Sequence, residues 1–152
     1  MDALDRLLEH DQWATAQLLE VAHGLSDAQL DREFDVGHHT VRATFEHMIS
    51  NGNGWTAALA GQEPASVSTS VDALAERHAR ASPVFADIAR RLRDGQRLQE
   101  TFTDPFGQPM TFGGAIITVI LHNEDHRTEI LHISSRLGLP EVGHGLWDCK
   151  RR

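Results

Sequence analysis

Cysteine and long apolar runs are scarce in this 152-residue sequence. Cys149 is the single cysteine and cannot form a disulfide within the chain, so a reducing compartment is expected. No apolar stretch approaches the length of a membrane span. Basic residues are in the minority as well, since 14 Lys and Arg face 22 Asp and Glu and leave a net charge of −8. This balance argues against nucleic acid and anionic membranes as partners.

Signals for secretion and for common catalytic devices are also lacking. Residues 1–5 are acidic and amphipathic, without the cationic start and apolar run of a secretory signal, so we expect a cytoplasmic protein. No Ser/His/Asp nucleophile can be assigned, and Gly113-Gly114 lacks the spacing of a phosphate-binding loop. Cys149 has no identifiable activating partner. The catalytic residues are therefore unknown from these patterns.

Helical periodicity is what the sequence does contain. Its length fits one domain, residues 1–152. Apolar residues recur every three or four positions in segments separated by glycine and proline, which predicts amphipathic helices. The four long segments are about 2–23, 40–60, 70–94 and 111–137. Pro83 lies inside the third and should kink or break it. The sequence therefore predicts an all-α protein built as a four-helix bundle.

The connections between these helices carry turn signals. Ser26-Asp27-Ala28-Gln29 has the pattern of a capping box that opens a short helical turn. Residues 62–69 form a linker long enough for a crossover between the second and third long helices. The turn chemistry of residues 101–107 predicts a short β-hairpin immediately before the last helix. Residues 141–152 are expected to be irregular.

Two histidines, His122 and His126, are four residues apart in the last predicted helix. They therefore lie on one face, about 6 Å apart along the axis. The inward stripe of this helix reads Ala115, Val119, His122, His126, Ile130, Ile133 and Leu137. Two imidazoles so placed can hold one divalent ion, which in a catalytic site takes a third protein ligand and keeps an open position. Alternatively, both are neutral, hydrogen-bonded histidines that only pack in the core.

Each of the other long helices offers one histidine as a third ligand, namely His10, His47 and His78. The sequence does not fix their relative heights along the bundle. His47 has a flank of small or polar residues with room for a ligand or water: Thr44, Asn51, Gly54 and Ala58. His10 and His78 lie in apolar rows, where a packed and hydrogen-bonded role is favoured. The loop histidines expected to be exposed to solvent are His38, His39 and His144.

Four segments carry a resemblance to a known family: 7–14 (LLEHDQWA), 44–48 (TFEHM), 106–109 (FGQP) and 121–127 (LHNEDHR). In this order and spacing, the sequence resembles the DinB/YfiT-like superfamily over nearly its whole length. The resemblance implies an up-down-down-up four-helix bundle with a three-histidine metal site on His47, His122 and His126. It also implies a homodimer, and activities that depend on a low-molecular-weight thiol.

Such a site has a defined chemistry. Three neutral imidazoles leave the charge of a divalent ion uncompensated, so the ion can activate a small thiol or water. Zn, Ni, Fe and Cu all accept nitrogen ligands, so the residues do not choose the metal. Carboxylates near enough in sequence to orient the rings are Glu46, Glu124, Asp125 and Glu129. Of these, Glu124 and Asp125 are expected as exposed surface charge, while Asn51 and Arg127 could reach a substrate.

Three functional hypotheses follow. The leading one is a metal-dependent transferase or hydrolase, of the thiol-transferase type, acting on a small electrophilic substrate. The second is a non-catalytic metal-binding protein of the stress response, which a fourth protein ligand from His10 or His78 would favour because it closes the coordination sphere. The third is a bundle without metal, in which the histidines are hydrogen bonded to carbonyls or carboxylates.

Overall fold

The computed structural model describes residues 1–60 and 68–140. Its elements are α1 (Ala3–His23), α2 (Asp27–Leu30), α3 (Val41–Ala60), α4 (Val71–Asp94), β1 (Thr101–Thr103), β2 (Pro109–Thr111) and α5 (Phe112–Arg136). The predicted all-α bundle of four long helices, with a hairpin before the last one, is confirmed. Most of the predicted 62–69 linker and the 141–152 tail, with His144 and Cys149, lie outside the described residues.

The helices begin where the sequence supplies capping side chains. Asp2 caps α1 by accepting a hydrogen bond from the Asp5 backbone N–H at 3.0 Å. The expected capping box at Ser26 forms, with Gln29 as its reciprocal partner. Thr111 caps α5 by accepting from the Gly114 N–H at 3.0 Å. These caps satisfy backbone donors that have no partner within their own helix, and so they fix the helix starts.

Pro83 does not break α4, which runs without interruption from Val71 to Asp94. The prediction of a break is wrong, because Pro83 and Ala79 are not enclosed in the core, so water can bind the Ala79 carbonyl that the proline leaves without its N–H donor. Buried apolar residues on both sides of Pro83, such as Leu74 and Phe85, pack the helix against its neighbours.

Two apolar clusters fix the directions of the four long helices. One cluster joins the end of α1, the starts of α3 and α4, and the end of α5: Leu18, Leu19, Ala22, Val41, Phe45, Met48, Ile49, Leu74, Ile130 and Ile133. The other joins the start of α1, the ends of α3 and α4, and the start of α5: Leu8, Trp55, Phe85, Ile88, Leu92, Ala115, Ile116 and Val119. Consequently α1 and α5 run one way and α3 and α4 the other, in the up-down-down-up arrangement.

Each long helix of the bundle packs mainly against two others. α3 lies between α4 and α5, and α1 lies between α5 and α4 on the opposite side. The two helices expected to carry the histidine site, α3 and α5, are therefore direct neighbours. Within residues 1–60 and 68–140, no helix is long and apolar enough to cross a bilayer.

A buried polar network joins α1 to α5 beside the expected site. The Arg127 guanidinium, which is fully buried, donates to Asp11 at 2.6 Å and to Thr15 at 3.0 Å. Asn123 donates to the same Asp11 carboxylate at 3.1 Å. Arg127 also donates to Glu124 at 2.7 Å. Arg127 is thus committed to the core, and the expectation that it could reach a substrate is wrong.

Candidate metal centre

Three histidines from α3 and α5 converge at one place in the bundle. The Nε2 atom of His122 lies 3.1 Å from Nε2 of His47 and 3.1 Å from Nε2 of His126. The ring centroids of the three pairs are 4.3 to 5.1 Å apart, with interplanar angles of 41° to 77°. The rings therefore splay outward from a shared point at their Nε2 atoms. We call His47, His122 and His126 the histidine cluster.

The spacing of these nitrogens fits a divalent ion. Metal–nitrogen bonds of about 2.0–2.1 Å in tetrahedral geometry place ligand nitrogens about 3.3 Å apart. Hydrogen bonding alone accounts less well for the arrangement, because a ring nitrogen carries either one proton or one lone pair. His122 Nε2 cannot make two ordinary hydrogen bonds to two other imidazole nitrogens. A cation at the shared point would satisfy all three lone pairs.

The ring of His126 is held by Glu129, one turn further along α5. His126 Nδ1 lies 2.8 Å from Glu129 Oε2, and since a carboxylate only accepts, Nδ1 carries the proton. The lone pair of His126 is therefore on Nε2, facing the cluster. Gly37 makes room for this carboxylate, because a Cβ at position 37 would meet Glu129 Oε1 at 2.7 Å and its Cδ and Oε2 closer still. Glu129 is the sequence-proposed carboxylate that the structure places against a ring of the cluster.

The ring of His122 is held by Asn51 from α3. Asn51 Nδ2 lies 3.2 Å from His122 Nδ1. A His122 that offers the Nε2 lone pair has its proton on Nδ1, so it needs an acceptor there. The structure places the donor Nδ2 of Asn51 at this position, and turning the amide by 180° would bring its Oδ1 to the ring as the acceptor. Asn51, expected as a residue that could reach a substrate, thus contacts the cluster itself.

The electrostatic surroundings keep two rings of the cluster, His47 and His122, neutral. Burial, followed by the neighbouring imidazoles of His38, His126 and His122, lowers the pKa of His47 to about 4. Burial, followed by the imidazole of His126, also lowers the pKa of His122. Both rings are therefore unprotonated near neutral pH, which leaves lone pairs available for a metal.

His38 is the residue that sequence reasoning missed. It was expected to be exposed, but its ring is half-buried and stacks on His47 at a centroid distance of 3.9 Å. One nitrogen each of His38, His47 and His126 lies within 4.8 Å of the other two. Positive φ angles at Gly37 (49°) and His39 (70°) turn the loop so that His38 faces α3. In the sequence, Gly37 next to a loop histidine was a hint of a positive φ angle. The position of the loop over α3 could not be predicted, because it depends on tertiary packing. His39 is exposed, as expected.

The remaining sequence candidates have other contacts. His10 is buried, and its Nε2 lies 3.7 Å from Glu124. His78 donates from Nε2 to the Gln12 carbonyl at 3.1 Å. Packed roles for His10 and His78 were the interpretation that the sequence favoured. Glu124 was expected as surface charge; its side chain is 41% exposed, and it also pairs with the buried Arg127. Asp125 is exposed, as predicted.

The cluster opens to solvent on the α3 side. An open depression there is lined by His38, Ala43, Glu46, His47, Ser50 and Asn51. Glu46 is exposed on its rim rather than placed against a cluster ring. A small molecule can therefore approach the cluster from this side.

Fold and site together define a four-helix bundle with a histidine cluster capable of binding a divalent metal. The sequence model of the DinB superfamily matches residues 10–130, and the chain belongs to this superfamily. No curated protein matches the chain.

Two solved structures share the fold. A DinB-like protein from Bacillus cereus is 22% identical, with 88% of this chain and 90% of that chain covered and a TM-score of 0.66. YfiT from Bacillus subtilis is 21% identical, with coverages of 92% and 91% and a TM-score of 0.63. YfiT is described as a probable metal-dependent hydrolase with an unusual four-helix bundle topology. At these identities the likeness establishes the fold.

Proposed function

We propose that this protein is a metal-dependent enzyme in which His47, His122 and His126 hold a divalent ion that activates water or a small thiol. The observation that carries the proposal is the convergence of three Nε2 atoms, with two separations of 3.1 Å, beside an open depression. A divalent ion held by three neutral imidazoles supplies Lewis acidity that lowers the pKa of water or of a thiol toward neutrality. The description of YfiT as a probable metal-dependent hydrolase supports this proposal.

The residues around the cluster hold it ready for a ligand. Glu129 orients His126, and Asn51 orients His122, so two of the three rings are held by a partner at Nδ1. On the inner side, Asp11 binds both Asn123 and Arg127 and fixes the cluster-bearing turn of α5 against α1. A site supported in this way undergoes little rearrangement when it binds an ion.

The substrate we propose is a small electrophilic molecule, attacked by the activated thiol or water. The thiol version, an S-transferase, draws its support from the family resemblance, and the hydrolytic version from the description of YfiT. The nitrogen ligands accommodate Zn, Ni, Fe or Cu. A homodimer and a cytoplasmic location stay predictions.

A fourth protein ligand from His10 or His78 would have favoured the non-catalytic alternative. Among the described residues, His10 faces Glu124 and His78 binds a backbone carbonyl, so neither fills this role. The open depression beside His47 favours an exchangeable ligand. We therefore place the catalytic proposal first.

Metal analysis tests the site directly. Protein purified without a histidine tag and supplied with Zn²⁺ should retain about one ion per chain after desalting, and His122→Ala should lose it. His132→Ala is the matched control, because His132 is exposed on the same helix and outside the cluster. Stoichiometric metal in His122→Ala would remove the proposal.

Turnover is the second stage of the test. Metal-loaded protein is assayed against a panel of electrophiles, with thiol consumption and ester or amide hydrolysis measured in parallel. Activity that is lost in His122→Ala and kept in His132→Ala supports the enzyme. Full metal binding without turnover in either assay would support the metal-binding alternative.

A further inference from the structure

The loop between α2 and α3 is built to hold His38 in one place. The Phe34 N–H donates to the His39 carbonyl at 2.8 Å, and the His39 N–H donates to the Val36 carbonyl at 2.9 Å. The His39 ring donates from Nδ1 to the Phe34 carbonyl at 3.0 Å. His39 has a φ of 70°, a left-handed conformation that is unfavourable for a residue with a Cβ. Local hydrogen bonds thus stabilise an unfavourable backbone conformation immediately after His38.

The His38 ring is placed differently from the three rings of the cluster. It lies nearly parallel to His47, with an interplanar angle of 27° and a centroid distance of 3.9 Å, and 5.1 Å from His126. Ligand rings that radiate from one ion have centroids further apart than 3.9 Å, as the cluster pairs do. His38 therefore lies alongside the cluster, while a nitrogen of its ring remains within 4.8 Å of a nitrogen of His47 and of His126.

His38 also stands on the side from which a ligand arrives. It lines the open depression together with Asn51 and His47. A small molecule that binds next to the cluster from this depression comes within hydrogen-bond reach of the His38 ring. On the side of α5 that faces α1, Asp11 and Arg127 form a buried ion pair.

We propose that His38 hydrogen bonds the exogenous ligand, a small thiol, water or anion, that binds at the coordination position left by His47, His122 and His126. The inference rests on the proposed function and deepens it, since it assigns the residue that recognises the nucleophile. His38 is then a substrate-contacting residue rather than a fourth metal ligand. The strained His39 backbone serves to keep the His38 ring over the depression.

The test uses Co²⁺-loaded protein and azide as the probe ligand. The visible absorption of Co²⁺ reports both metal geometry and azide binding without any assay of activity. In His38→Ala, the affinity for Co²⁺ should stay within about threefold of wild type, and azide binding should weaken at least about 10-fold, as expected for one lost hydrogen bond to a charged ligand. His38→Gln, which keeps an N–H donor, should recover most of the azide affinity.

His132→Ala is the matched control, because His132 is exposed on α5 and lies outside both the cluster and the loop that holds His38. It should bind both Co²⁺ and azide like wild type. Unchanged azide affinity in His38→Ala would overturn the inference and leave the proposed function standing. A loss of more than about 100-fold in Co²⁺ affinity in His38→Ala would also overturn it, because His38 would then be a metal ligand. If wild type binds no Co²⁺, the proposed function fails and the inference fails with it.

Discussion

Replacing Gly37 by alanine tests how the loop before α3 supports the cluster. The new Cβ would lie 2.7 Å from Glu129 Oε1, with Cδ and Oε2 closer still. These colliding atoms are the end of a flexible side chain, so the expected response is that Glu129 swings away. The movement breaks its 2.8 Å hydrogen bond to His126 Nδ1. The predicted damage is therefore to the proposed metal site more than to the fold.

The two costs can be separated by magnitude. An alanine at a φ of 49° costs about 1–2 kcal/mol in the free energy of unfolding, because the conformation disfavours any Cβ. Loss of the partner that orients a ligating histidine lowers metal affinity about 10- to 100-fold, or about 1.4–2.7 kcal/mol. Gly107→Ala is the matched control, since Gly107 has a φ of 79° and the Cβ added there would meet no atom of the described chain within 4 Å beyond its immediate neighbours. Gly107→Ala therefore carries only the cost of the positive φ angle.

The assay is a Zn²⁺ competition titration against a chromophoric chelator, combined with urea unfolding of the metal-free proteins. Gly37→Ala and Gly107→Ala should be destabilised similarly, and only Gly37→Ala should lose Zn²⁺ affinity. In a Glu129→Ala background, Gly37→Ala should cause no further loss of affinity. Wild-type Zn²⁺ affinity in Gly37→Ala would refute the reasoning, because the contact of Glu129 with His126 would then not matter for binding.

Two further predictions concern the stability of the metal-free protein. Asp11→Ala leaves the fully buried Arg127 without the carboxylate that lies 2.6 Å away, so urea titration should show a loss of about 3 kcal/mol in the free energy of unfolding. Asp27→Ala is the control and should lose less than about 1 kcal/mol, because the Asp27 side chain is 89% exposed. Similar losses in the two variants would contradict this prediction. The pKa of His47, lowered to about 4 by burial, lies below its unfolded value of about 6.5, so the unfolded chain binds more protons between these values. Stability, measured as the urea midpoint, should therefore be flat above pH 6.5 and fall toward pH 4. The fall should be shallower in His47→Gln. Equal pH profiles for the two proteins would show that the titration of His47 is not the cause.

Local signals in the sequence predicted the helices and half of the site. The caps at Ser26 and Thr111 depend on neighbours three residues away, so their pattern is readable without the fold. The shared face of His122 and His126 follows from helix geometry alone. The prediction of a break at Pro83 was wrong because the helix-breaking effect of proline is that of an isolated helix, whereas packing on both sides of Pro83 holds α4 together.

Contacts between helices were harder to predict. The sequence did not fix the relative heights of His10, His47 and His78, because the axial shift of one helix against another is set by packing far away in sequence, although the small or polar flank of His47 already favoured it. The family resemblance singled out His47. His38 was missed because positive φ angles at Gly37 and His39 place its loop. The glycine at position 37 is a hint of the first angle, but the residue type of His39 gives no indication of the second. The ion pair of the partly exposed Glu124 with Arg127 was not predicted, because Arg127 is buried in the core.

The three cluster histidines come from only two of the four long helices, α3 and α5, and His47 and His122 are 75 residues apart in the chain. An ion bound there would act as a reversible cross-link along a single helix–helix boundary. It would add about 4 kcal/mol to folding when its concentration is a thousand times the dissociation constant. The boundary between α1 and α4, which carries none of these ligands, would be free to change in sequence while the cross-link stays intact.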